Sequence, residues 1–157
     1  MTDYVLHLTD QPHINDIRVI RDGFNASLIA RVPELARFPE INLAIFLRDD
    51  QDFIQGGVVG ESDRGMMYID LLWLDDKMRG KGYGEMLMRS IEQASVAHGF
   101  RHIFLMTTEF QALPFYRHIG YDLFGTLQNR PHGYDYYYLR KYDVVPDQRN
   151  FGLNLTI

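Results

Sequence analysis

Arg79-Gly80-Lys81-Gly82-Tyr83-Gly84 follows the apolar run Tyr68-Ile69-Asp70-Leu71-Leu72-Trp73-Leu74 and opens into a segment where Leu87, Ile91 and Ala94 recur on one face. The order is strand, glycine-rich turn, helix. Glycines let a backbone turn tightly and bring its N–H groups close to a ligand, and a helix N-terminus adds partial positive charge, so this order builds a site for a phosphate-bearing anion. Arg79 and Lys81 add charge of their own. Spacing separates the possible phosphate loops. Lys81 is followed by Gly82 and Tyr83, so Gly-x-x-x-x-Gly-Lys-Ser/Thr is absent, and the even spacing of Gly80, Gly82 and Gly84 breaks the dinucleotide fingerprint Gly-x-Gly-x-x-Gly. A plain surface turn before a helix is the competing reading. It leaves the coincidence of strand, three glycines, two cations and helix unexplained.

What fits is Arg-x-x-Gly-x-Gly at Arg79, Gly82 and Gly84, and a second segment agrees with it. Ala112-Leu113-Pro114-Phe115-Tyr116-Arg117-His118-Ile119-Gly120-Tyr121 has the form Ala-x-x-Phe-Tyr-x-x-x-Gly-Tyr. In that order the two motifs resemble the signatures of the GNAT superfamily of acyl-CoA-dependent N-acyltransferases. The likeness runs over residues 40 to 142 and is strongest from 66 to 141, where it is similar to one group of small bacterial acetyltransferases. The resemblance implies an α/β domain with a central mixed, mostly antiparallel twisted sheet flanked by helices.

At 157 residues with 46% apolar composition, the chain suits one domain, expected over 1–142 with a C-terminal tail over 143–157. A net charge of −5 without a basic run argues against nucleic acid, which is bound by clustered Lys and Arg. With no cysteine there are no thiolate ligands and no acyl-cysteine intermediate, and the six histidines form no ligand spacing, so no metal is expected. The N-terminus lacks a basic region followed by a long apolar one, and no stretch approaches the ~18 apolar residues of a membrane span. A cytoplasmic protein with no membrane partner is the expectation. The tail from Asp143 is loosened and is left free to pack on a partner subunit; a homodimer stays open.

Along the chain, Tyr4 to Leu8 alternates and predicts a first strand, and Ile14 to Leu28 has helical spacing. A short helix lies between Pro33 and Pro39. Asn42–Leu47 and Phe53–Val59 form a hairpin, with a bulge at Gly56 and Gly57, and Glu61–Gly65 is a turn. Met66–Leu74 predicts a central strand, Gly84 to Gly99 a capped helix, His102–Met106 a strand, Gln111–Ile119 a helix, and Tyr121–Thr126 and Tyr136–Lys141 the last two strands.

The resemblance also implies the chemistry. The pyrophosphate of acetyl-CoA, the acetyl donor, goes to Arg79, Gly80, Lys81, Gly82, Tyr83 and Gly84, and its pantetheine lies along Leu72, Trp73 and Leu74, where the strand splays from its neighbour and frees N–H groups. Tyr116 occupies the position that supplies a general acid to the leaving thiolate, against the alternative of a core tyrosine. An acceptor amine of pKa near ~10 needs to lose a proton. Asp70, in phase with Tyr68, Leu72 and Leu74, is either that base or a structural carboxylate. Glu109 stands where many members carry an Asn that touches pantetheine, and it can instead face a cationic substrate. Thr107, Thr108, Gln111 and Tyr134 complete the expected substrate contacts, while Met106 and Thr108 depart from the Asp and Phe of the similar group. The expected activity is transfer of an acetyl group to a primary amine of a small molecule in a ternary complex. A CoA-binding module without chemistry and an acetyltransferase of protein termini or lysines are the alternatives.

Overall fold

The computed structural model describes residues 4–108, 112–129 and 133–146. It divides into two compact units, Met1–Phe38 and Pro39–Ile157. In the first, α1 (Ile14–Arg31) starts after His13, whose Nδ1 accepts a hydrogen bond from the Asn15 N–H. Asp16 lies in its first turn and Arg31 in its last, each sign suited to the helix dipole. One 3₁₀ turn, Pro33–Arg37, follows, opening on a proline that has no N–H to leave unpaired. Tyr4–Leu8 is not a strand: the segment is exposed throughout and joins no strand of the described sheet. Alternation makes a strand only where a partner takes up its backbone groups, and water serves an exposed segment as well.

The second unit is a six-stranded sheet of β1 (Asn42–Arg48), β2 (Ile54–Asp63), β3 (Met66–Leu74), β4 (Ile103–Thr107), β5 (Asp122–Leu127) and β6 (Tyr136–Lys141), in the order β1-β2-β3-β4-β6-β5. β3 and β4 run parallel and the other neighbours antiparallel, which is the mixed, mostly antiparallel α/β sheet the resemblance implies. α2 (Tyr83–Ala97) makes the crossover that a parallel pair requires, and α3 (Ala112–His118) precedes β5. Besides ends shifted by a residue or two, one strand end and one bulge differ from expectation. β2 runs on to Asp63 because Glu61–Asp63 pair with Met66–Tyr68, and the turn shrinks to Arg64 and Gly65, both left-handed as tight hairpin turns demand. The bulge expected at Gly56 and Gly57 falls at Gln55, since Leu47 faces Gly56 while Arg48 faces Ile54.

Val58, Met67, Ile69, Ile103, Leu105 and Leu139 make the buried face of the sheet, and Leu87, Met88 and Ile91 of α2 pack on it; each is at most 2% exposed. Burial of each such side chain contributes about 1.5–3 kcal/mol. The described part of the tail packs on its own unit. Val144 is buried, its N–H donates to the Arg101 carbonyl, and the Gln93 amide donates to the Val145 carbonyl, so this part needs no partner subunit to hold it. Among the described residues no helix is long and apolar enough to cross a membrane, and no group of three His, Cys, Asp or Glu could hold a metal ion.

Candidate active site

The site begins where β3 and β4 part. Their pairing holds only from Met67, Tyr68 and Ile69 to Ile103, Phe104 and Leu105, yet β3 continues to Leu74 and β4 to Thr107. The strands diverge into a cleft of about 930 Å³, walled on one side by Ile69–Leu74 and on the other by Leu105–Thr108. A bulge coincides with the parting: Val59 faces Leu71 and Gly60 faces Ile69, leaving Asp70 as the extra residue of β3. The bulge reverses the phase of the strand. Leu72 and Leu74 lie opposite Val58 and Gly56 on the buried face, while Leu71 and Trp73 turn to the other face and are more than half exposed. Asp70 therefore shares the face of Tyr68 and not, as the unbroken alternation predicts, that of Leu72 and Leu74.

The glycine-rich loop closes one end of the cleft. A 3₁₀ turn over Asp76–Met78, capped by the Asp75 carboxylate, delivers the chain to Arg79, whose Nε contacts the Leu74 carbonyl at 3.4 Å and the Asp76 carboxylate at 3.2 Å. Gly80 and Gly82 are left-handed, at φ 71° and 84°. Gly82 is the N-cap of α2 and has no side chain to offer, so the first-turn N–H groups of the helix lack a side-chain cap. Arg79, Gly80, Gly82 and Gly84 line the cleft. Uncapped N–H groups, a helix dipole and a guanidinium at one end of a long cleft fit a pyrophosphate.

Asp70, Thr107, Thr108 and Tyr116 line the same cleft, as do Leu72, Trp73 and Leu74. Lys81, Tyr83 and Tyr134 are not on its wall, and Glu109 and Gln111 lie outside the described residues. Tyr116 is 7% exposed, with its ring edge-on to Phe115 and Tyr121. Asp70 is exposed and has no hydrogen bond or ion pair among the described residues. Tyr68 stands beside it on the same face; burial, then the charges of Asp70 and Glu61, push its phenol above the ordinary value.

A model described as the Acetyltransferase (GNAT) family matches residues 20–121. The chain belongs to that family. It is an acyltransferase by that membership, and its relatives carry the same name. An acetyltransferase of Agrobacterium fabrum is 32% identical over 120 residues, 76% of this chain and 85% of the relative. Blasticidin-S acetyltransferase of Streptomyces morookaense is 30% identical over 120 residues, 74% of this chain and 88% of the relative. The crystal structure of an acetyltransferase from Bacillus cereus superposes with a TM-score of 0.76 at 26% identity, covering 87% of this chain and 97% of that one.

This GNAT cleft has walls beyond the expected contacts: of Tyr134, Tyr136, Tyr137 and Tyr138, some of which had to face the groove, the expectation took Tyr134, and it named neither Glu85 nor His118. Tyr136 enters from β6, where the pairing of Met106 with Tyr138 and Thr107 with Tyr137 sets which tyrosines share the face of Tyr68. Glu85 and His118 line the end nearest the loop. The position of Glu85 directly after Gly84 was the available signal, because the first turn of a helix that meets a ligand shares its surface with that ligand. No local signal marks His118, whose place depends on how α3 docks.

Proposed function

We propose that this GNAT enzyme transfers the acetyl group of acetyl-CoA to a primary amine of a small molecule, with both substrates bound in the one cleft. A single observation carries the proposal: the uncapped start of α2, the parted edge of β3, Asp70 and Tyr116 all face one continuous space. Arg79 and the N–H groups after Gly82 hold the pyrophosphate, and the backbone of Leu72–Leu74, free of β4, pairs with the pantetheine as another strand would. The unpaired N–H groups of β3 polarise the thioester carbonyl.

Asp70 takes the proton from the acceptor ammonium, directly or through water, and the free amine attacks the carbonyl carbon. The N–C bond forms and the C–S bond breaks. Tyr116 donates its proton to the departing sulfur and regains one from the proton lost by nitrogen, so the products are the amide and the free thiol. Asp70 and Tyr136 give the acceptor end an acidic, aromatic wall, which suits a compact organic cation. The relative named for blasticidin S supports a small acceptor.

Thiol release from acetyl-CoA in the presence of a panel of small amines tests the proposal. Turnover with at least one amine, lowered about 10²-fold or more in Tyr116→Phe with acetyl-CoA affinity kept, is expected. Binding without thiol release across the panel would overturn it.

A further inference from the structure

α3 carries Tyr116 and is short, so its place depends on what grips its ends. The C-terminal end is held by a chain of polar contacts that runs from β6 to α2. Lys141, the last residue of β6, donates from Nζ to the Ile119 carbonyl at 2.9 Å and to the two Glu92 carboxylate oxygens at 3.0 and 2.8 Å. Glu92 lies on α2, is 1% exposed, and also accepts from Arg89 at 3.4 Å. Arg89 reaches Glu85 at 3.4 Å, and Glu85 stands 4.0 Å from Nε2 of His118, the neighbour of Ile119. α2 thus grips the end of α3 in the core through Glu92 and Lys141, while at the rim Glu85 and His118 make an ion pair only with the imidazole protonated.

Each part of the inner grip is fitted to its task. A cation suits the unpaired carbonyls at a helix C-terminus. Gly120, at φ 95°, makes the left-handed turn that brings the chain past Lys141, and a Cβ there would stand in ordinary contact with Lys141 Cε at 3.4 Å. The Tyr121 N–H returns to the Tyr116 carbonyl at 2.9 Å, and the Tyr121 ring lies under the Lys141 ammonium at 5.5 Å and edge-on to the Tyr116 ring at 5.8 Å. The Tyr121 phenol is held well above its ordinary value, first by burial and then by Glu92, so it stays neutral.

A buried ion pair is a poor source of stability, since apolar residues of similar volume often hold a fold as well. What Lys141 supplies and an apolar residue cannot is direction: donors from one nitrogen fix the end of α3 against both α2 and β6. We infer that Glu92 and Lys141 are positioning residues, which hold α3 so that the Tyr116 phenol meets the thioester sulfur. The inference rests on the assignment of Tyr116 as general acid.

The test is a double-mutant cycle on kcat. Glu92→Met with Lys141→Met removes both charges of the pair together and leaves Arg89 its partner Glu85. It is expected to lower kcat about 10- to 100-fold, the scale of an ångström-sized misplacement, with KM for acetyl-CoA within about twofold and with little change in Tm. In a Tyr116→Phe background the same pair of changes should have no effect on kcat, because no acid remains to be placed. Lys141→Arg is the second variant, needed if the methionine pair fails to fold. It keeps the charge but cannot aim donors from a single atom, and it should show the same loss and the same disappearance of that loss. Unchanged kcat in the folded variants, or an equal loss with and without the Tyr116 hydroxyl, would overturn the positioning role. A silent Tyr116→Phe would instead overturn the general-acid assignment, and the positioning role with it.

Discussion

Replacing Gly82 isolates the backbone's share in anion binding. Gly82 stands at φ 84° as the N-cap of α2, and a Cβ there would meet nothing within 4 Å, so no clash inside the protein confuses the result. An alanine held left-handed costs about 1–2 kcal/mol. That cost must appear in one of two places. If the free loop keeps its shape, the fold is weakened, and Tm falls by about 2–8 °C at roughly 2–4 °C per kcal/mol for a chain of this size. If the free loop relaxes to negative φ, binding must restore the turn, and affinity for acetyl-CoA falls about 5- to 30-fold. Asparagine tolerates the left-handed region better than alanine despite its larger side chain, and valine tolerates it least. Calorimetric titration and thermal melting should therefore rank the total loss as Val, then Ala, then Asn. A loss larger in Asn than in Ala would show that the side chain meets the ligand, and would refute the conformational reasoning. Unchanged affinity together with unchanged Tm in Gly82→Val would leave the cost of the left-handed turn in neither place and would refute the reasoning.

Two further perturbations separate chemistry from structure. Asp70→Asn should leave Tm within the narrow range of a surface change, because the exposed Asp70 carboxylate has no hydrogen bond or ion pair among the described residues, while kcat/KM falls most near about pH 6, where free amine is scarce; wild-type activity from about pH 6 to 9 would remove it from the mechanism. Tyr121→Phe tests the buried phenol. Its pKa is raised in the folded state, so the unfolded chain loses the proton first as pH rises above ~10, and stability there falls by up to about 1.4 kcal/mol per pH unit. The Phe variant should lose less stability over that range in denaturant titrations at stepped pH, and equal alkaline losses in both proteins would contradict the assignment.

Whatever depends on local chemistry was legible in the sequence. The bounds of β3 match because an apolar run ends abruptly at Asp75 and the glycine-rich loop, and the left-handed turns at Gly80 and Gly82 fall where only glycine is at ease. Pairing was legible only where a short turn joins the two strands, as in the β1–β2 hairpin, and not between distant segments. Tyr4–Leu8 alternates as a strand should, but alternation says nothing about whether a ladder is available. Tyr136 rather than Tyr134 reaches the cleft because of the β4–β6 register, a relation between segments far apart in the chain. Lys141 and Glu92 are separated by 49 positions, so nothing near either one predicts their ion pair.

The bulge at Asp70 shows what such non-local geometry contributes. In an unbroken strand, Asp70, Leu72 and Leu74 would share a face, and a carboxylate in phase with core leucines would face burial without a partner, at a cost of several kcal/mol unless it took up a proton. The extra residue places Asp70 with Tyr68 and turns Leu72 and Leu74 back to the buried side, beside the point where β3 leaves β4. One irregularity thus gives the carboxylate access to the cleft, keeps the strand's apolar residues in the core and leaves backbone N–H groups unpaired. Deleting Asp70 should therefore cost more activity than Asp70→Asn, because it removes the bulge together with the carboxylate: Val59–Leu71 and Gly60–Ile69 become consecutive regular pairs, Leu71 and Trp73 keep their face, and the irregularity beside the parting of β3 from β4 is lost.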